Sequence, residues 1–185
     1  MTPMATLQVD TLKFDFESTV SAQIYDQWQH YSSVWNAPPG GQKAVDVIAV
    51  NVVTVEDAPT ESTAWLIEAK DFRVITNPPK ASNISGLAQF VTEKVQHTLA
   101  GLADASAKAA LPDEKQLATD ALACPTKRVV LHLEPHTGVH TALFPIGFAA
   151  SVLQRLRQLV TAIDSNPLVL NIANTPGYGV PWTVS

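Results

Sequence analysis

Two stretches decide the fold of this chain: Lys43-Ala44-Val45-Asp46-Val47-Ile48-Ala49-Val50 and Trp65-Leu66-Ile67-Glu68-Ala69-Lys70-Asp71. Both are apolar enough to be buried strands, yet each is interrupted by a carboxylate. Side chains two apart on a strand share a face, so Ala64, Leu66, Glu68 and Lys70 form one row. That row is apolar toward the core and ends with an acid and a base held side by side. The polar connection over residues 56–62 makes the two stretches a hairpin. In an antiparallel pair the start of the first strand faces the end of the second, so Asp46 is expected beside Lys70.

Outward from this pair, the alternation Leu7, Val9, Leu12, Phe14, Phe16 predicts a strand. Residues 17–30, apolar at Val20, Ile24 and Trp28, predict a helix. Ala37-Pro38-Pro39-Gly40-Gly41 predicts a turn before a valine-rich strand over 43–55, and Pro78-Pro79 marks a second loop. A long helix is predicted over 83–103 from Ile84, Leu87, Ala88, Val91, Val95, Leu99 and Leu102. Helices over 113–123 and 148–163 and strands over 127–134 and 167–172 complete the pattern. The tail around Pro176, Gly177, Gly179 and Pro181 is too interrupted for continuous regular structure and suits a docking or crossing segment. The order predicts one α/β domain over residues 1–185 with a mixed central sheet flanked by helices and a C-terminal helix and strand extension.

Composition removes several function classes. A formal charge of −5 argues against a general nucleic-acid coat protein, whose affinity depends on clustered lysine and arginine, although the 70–94 window (Lys70, Arg73, Lys80 and Lys94 against Asp71 and Glu93) is mildly basic. The first ten residues do not read as a signal peptide and no stretch approaches a membrane span, so a cytoplasmic location without membrane contact is expected. Cys124 stands alone and reads as a small buried thiol. No Gly-x-Ser-x-Gly elbow is present, and Pro39-Gly40-Gly41-Gln42-Lys43 lacks phosphate-loop spacing.

Asp46 and Glu68 can supply the oxygen ligands that a hard cation such as Mg²⁺ or Mn²⁺ prefers. The cation would acidify a bound water and neutralise a phosphate, with Lys70 orienting or deprotonating that water. On these residues the chain resembles the PD-(D/E)XK nuclease superfamily, with its restriction-endonuclease-like αβββαβ core. The resemblance spans roughly residues 15–135 and implies metal-dependent phosphodiester hydrolysis, with DNA as the expected partner. It assigns catalysis to Asp46, Glu68 and Lys70, adds the carbonyl of Ala69 to the metal ligands, and offers Glu17 on the first helix and Gln89 on the long helix as auxiliary residues. It also implies pairing of two copies, for which the helix at 148–163 or the Trp182 tail would serve. Val45 stands where the family's proline would be, and the strand before Asp46 is short, with residues 33–36 as its candidate.

Two readings stand beside this one. Glu-x-Lys also occurs as a cross-face charge pair, and an Asp46–Lys70 ion pair would equally offset the cost of burying the acid. The second class of function is therefore a nuclease-fold module that does not cleave and instead binds a protein or nucleic acid. Separately, His132, Glu134 and His136 alternate at a strand end and His140 follows, a pattern open both to a second metal site and to a polar edge broken by Pro135. Trp35, near the motif strands, is a candidate substrate contact.

Overall fold

A computed structural model describes residues 5–38, 41–53, 61–73, 84–135 and 147–185. The chain opens with a hairpin, β1 (Thr6–Val9) and β2 (Leu12–Phe16), and continues through β3 (Val20–Ile24), β4 (Val47–Val53) and β5 (Glu61–Asp71). Then come α1 (Ile84–Lys108), α2 (Pro112–Ala123), β6 (Thr126–Glu134), α3 (Phe148–Val160), β7 (Leu168–Leu170) and β8 (Trp182–Val184).

The central sheet has the order β3-β4-β5-β6-β7. Its first three strands are antiparallel, while β6 runs parallel to β5 and β7 parallel to β6. The change of direction follows from the connections. β4 and β5 are joined by a short link, but α1 and α2 intervene between β5 and β6 and carry the chain back to the sheet's starting end, as a parallel crossover requires. The expected mixed α/β architecture is present.

Three helices cover one face, where Ala64 and Leu66 of β5 and Val129, Leu131 and Leu133 of β6 meet Val91, Val95 and Leu102 of α1 and Val152, Leu156 and Val160 of α3. The other face is covered by a second sheet, β1-β2-β8, packed through Phe14, Phe16 and Trp182 onto Trp65, Ile67 and Val130. Period-2 alternation in β5 and β6 supplies both cores, because residues 64–69 of β5 and 129–134 of β6 are buried on one side or the other. The C-terminal tail closes the small sheet. Trp182 is buried against Phe16 and Trp65, with ring centroids 5.7 and 5.0 Å away, so it serves the chain's own core.

Three predicted elements take another form. Residues 17–30 do not form a helix; they form β3, a 3₁₀ turn over Tyr25–Gln27 and the entry to a π-helical turn over Tyr31–Trp35. Val20 and Ile24 share a face in either structure, but the intervening Ser21-Ala22-Gln23 alternates as a strand does, and pairing with β4 decides the outcome. The π-helical turn takes the place of the strand expected at 33–36. Residues 7–16 form a hairpin rather than one strand, turning at Asp10, which adopts a φ of 51°. The aromatic segment after β3 packs closely on α1 at Gly101, where a Cβ would lie 2.3 Å from the Tyr25 hydroxyl and 2.8 Å from Trp35 Nε1. Trp35 is thus a partner of α1. The loops containing Pro39-Gly40, Pro78-Pro79 and most of the 56–62 connection lie outside the described residues.

Candidate functional site

Asp46 sits immediately before β4 and is fixed by backbone contacts on both sides. Its N–H donates to the carbonyl of Ile67 (3.1 Å), and its carbonyl accepts from Tyr25 N–H (2.8 Å). The β4–β5 register pairs Val47 with Ile67, which places Asp46 opposite Glu68 rather than Lys70. One carboxylate oxygen, Oδ2, accepts from the N–H of Ala69 at 2.7 Å. Glu68 and Lys70 lie on the helix-covered face, as the alternation of β5 requires.

The fourth member comes from α1. Lys94 lies in the helix's apolar stripe, flanked by fully buried Val91, Val95 and Thr98. Thr98 Oγ1 accepts from Val45 N–H at 3.0 Å, and His97 Nδ1 accepts from Lys43 N–H at 3.1 Å, so this stretch of α1 is clamped onto residues 43–46. Lys94 Nζ donates to both oxygens of Glu68, each at 2.8 Å, and lies 3.6 Å from Asp46 Oδ1. Lys70 Nζ reaches Glu68 Oε1 at 2.7 Å. Glu68 is fully buried, whereas the Lys70 side chain is 30% exposed and forms the outlet of the cluster.

Burial pushes the Glu68 carboxyl up to about 7, reinforced by the charge of Asp46 and opposed by the two lysines. Burial pulls the Lys70 ammonium down, but the charge and hydrogen bond of Glu68 outweigh it, and Lys70 is held charged. Asp26, on the 3₁₀ turn after β3, is raised by burial and then by Asp46. The cluster is therefore a nearly neutral pocket of charge with one carboxyl that titrates close to physiological pH. Beyond it Phe90 is ringed by cations, with Lys43, Lys94 and Lys70 Nζ at 5.0, 5.2 and 5.7 Å from its centroid. Lys43 also pairs with Glu93.

These contacts test the fit of Mg²⁺ or Mn²⁺. Both oxygens of Glu68 accept from ammonium groups, one oxygen of Asp46 is committed to an amide, and among the described residues no group of three His, Cys, Asp or Glu is arranged to hold a metal. As arranged, this donor set does not fit a hard cation, which needs free oxygen lone pairs.

The auxiliary residues fall elsewhere. Glu17 is exposed in the β2–β3 turn, its N–H donating to Pro181 carbonyl at 3.0 Å. β3 and β4 pair Val20 with Asn51 and Ile24 with Val47, so Glu17 and Asp46 lie at opposite ends of that ladder. Gln89 is exposed on α1 and its amide contacts Glu93 Oε1 at 3.5 Å. Ala69 enters through its N–H. His132 and Glu134 lie on the other face of the sheet, both buried, with His132 Nε2 2.9 Å from Glu134 Oε1 and the same oxygen accepting Ile172 N–H at 2.6 Å. His136 and His140 are outside the described residues.

No family model matches this chain, and no solved structure matches it. It is similar to a cysteine–tRNA ligase of Neisseria meningitidis (serogroup A, serotype 4A), with 28% identity over 98% of this chain and 30% of that protein. The chain thus spans under a third of the length of the relative it matches. This likeness overturns the expectation of a metal-dependent endonuclease, and with it the hydrolase class: the relative is named for ligation. Among the described residues no helix is long and apolar enough to cross a membrane.

Proposed function

We propose that this chain is a tRNA-contacting module serving cysteine–tRNA ligation, without itself carrying the ligation centre. One observation carries the reading: the similarity runs through nearly the whole chain while accounting for 30% of the ligase, as expected of a distinct segment of that protein. The chemistry around Phe90 supports it. An aromatic ring beside the ammonium groups of Lys43 and Lys70 suits an unpaired nucleobase and its phosphate, since stacking tolerates any base and the cations meet the backbone. As a scaffold we read β4-β5-α1-β6 as a restriction-endonuclease-like core, a statement about architecture and not about cleavage. The antiparallel pair bearing Asp46 and Glu68, followed by a helix and a parallel strand, supports it, and the missing first helix departs from it.

The test is fluorescence anisotropy with a cysteine tRNA transcript at low salt, against a DNA duplex of equal length. The expected result is preferential, salt-sensitive binding to tRNA, weakened at least fivefold by Lys43→Glu and by Phe90→Ala. Equal affinity for both nucleic acids, or no binding to tRNA together with no effect on the aminoacylation rate of a cysteine–tRNA ligase, overturns the reading.

A further inference from the structure

β3 is the outer strand of the central sheet, and among the described residues only β4 pairs with it. The ladder's alternation is set by Tyr25 N–H donating to Asp46 carbonyl, which turns the backbone groups of Ser21 and Gln23 toward β4 and those of Ala22 and Ile24 toward the open edge. Such an edge is a template for another strand unless something blunts it. β3 carries no proline, lysine or arginine.

Two cavities follow this edge as a groove, with Gln23 and Asp113 lining both. The larger, about 400 Å³, has Ala22 and Ile24 along its floor, Leu7 of β1 on one side, and Leu111 and Asp113 at the start of α2 on the other. The smaller, about 220 Å³, continues past Gln23 toward Gln116 and Asp120 on α2. Trp28 lines the larger cavity; it is 3% exposed and its indole N–H has no hydrogen-bond partner among the described residues. Leu111 is 45% exposed, an apolar side chain left at the rim. The ionisable residues of the lining are Asp113, Glu114 and Asp120, with no lysine, arginine or histidine among them.

We propose that this groove binds an extended peptide bearing lysine or arginine, which adds as a strand to β3 and places its cations against Asp113 and Asp120. Strand addition takes its affinity from main-chain hydrogen bonds and its selectivity from the side chains that alternate along the strand. The outward N–H and carbonyl groups of Ala22 and Ile24 supply the first. The acidic wall of α2 and the apolar positions Leu7 and Leu111 supply the second. The same acids repel nucleic-acid phosphates. They also disfavour a second copy of this chain, because β3 pairing across a two-fold axis would bring two acidic α2 walls together. The partner surface is thus distinct from the lysine-ringed Phe90, and the proposal does not rest on the tRNA reading.

The probe is a labelled ten-residue peptide of alternating lysine and valine, measured by anisotropy against the full chain beside its glutamate–valine counterpart and a version methylated at alternate backbone nitrogens. Saturable binding of the lysine peptide is expected, with at least tenfold weaker binding of both controls. Asp113→Lys, an exposed change whose fold is checked by circular dichroism, is expected to weaken binding at least tenfold, and Ala22→Pro, which removes one outward N–H, to weaken it comparably. No saturable binding to the wild type, equal binding of the glutamate peptide, or indifference to Asp113→Lys overturns the proposal. So does a concentration-dependent dimer in sedimentation that Ala22→Pro dissolves, which would assign the edge to a second copy.

Discussion

Glu68 and Glu134 are two buried carboxylates on neighbouring parallel strands, facing opposite sides of one sheet and held by different means. Glu68 is neutralised by the tips of two long lysine side chains, one from α1 and one from its own strand. Glu134 is held by the rigid ring of His132 and by the backbone N–H of Ile172. Flexible ammonium groups can be drawn away by a ligand or matched by a proton, so the Glu68 side can change charge. A ring packed edge-on against Phe14 at 5.4 Å and an N–H at the end of β7 have no such freedom. The helix-covered face therefore carries the adjustable cluster, and the small-sheet face carries a polar fastening.

The largest expected effect follows from removing Lys94. A buried carboxylate that loses its forked partner costs about 3–5 kcal/mol, and Lys94→Met should lower unfolding stability in urea by that order. The double variant Glu68→Gln/Lys94→Met should recover most of the loss, because it removes charge and partner together. A loss below about 1 kcal/mol in the single variant would show that Lys70 alone suffices.

The two faces should also respond to pH with opposite signs. A carboxyl raised from 4.5 to about 7 makes the folded state bind its proton more tightly than the unfolded chain, so the stability it adds is complete below pH 4.5 and is lost as pH rises toward 7. The change approaches about 3 kcal/mol, at about 1.4 kcal/mol per unit. Asp26, also raised, acts in the same direction. His132 is lowered from 6.5, chiefly by burial, so its contribution is present above 6.5 and is lost as pH falls through the lowered value. Glu68→Gln should therefore remove the larger part of the decline between pH 4.5 and 7, leaving the part due to Asp26 set against the rise from His132. An unchanged profile in thermal melts would mean that Glu68 is charged throughout.

A smaller effect is expected at the fastening. Glu134→Ala strands Ile172 N–H and the His132 ring, a loss of about 2 kcal/mol. Hydrogen exchange should accelerate at Ile172 while the Phe90 surroundings are unchanged. Equal acceleration on both faces would show that the two carboxylates belong to one cooperative unit.

Much of this contrast was legible in the sequence, and what was not has physical causes. The apolar runs 47–50 and 64–69 specify their strands because both faces are buried, although residues 43–46, expected in the first strand, lie before β4; the alternation within β5 places Glu68 and Lys70 on one face. Residues 20–24 misled because Val20 and Ile24 satisfy a four-residue spacing that a strand also satisfies. Lys94 carried a signal: it falls among Val91, Val95 and Thr98 on the apolar stripe of α1, where a cation needs a buried acid. Glu134 and its neighbour His132 were visible as an alternating pair, but the second partner of Glu134, Ile172 N–H, lies 38 residues away on a backbone position that no side-chain pattern marks.

The smallest expected effect separates Lys94 from its neighbour on the same helix. Gln89 is exposed, its amide reaches Glu93 only at 3.5 Å, and no buried group depends on it. Gln89→Ala should change stability by no more than about 0.5 kcal/mol, since it removes a solvated side chain and leaves a good helix former. It should also leave the pH profile set by Glu68 intact. A shift of that profile in Gln89→Ala would mean that the cluster extends over the outer face of α1, and the distinction between an adjustable buried cluster and a solvated helix surface would then have to be redrawn around Glu93 and Lys43.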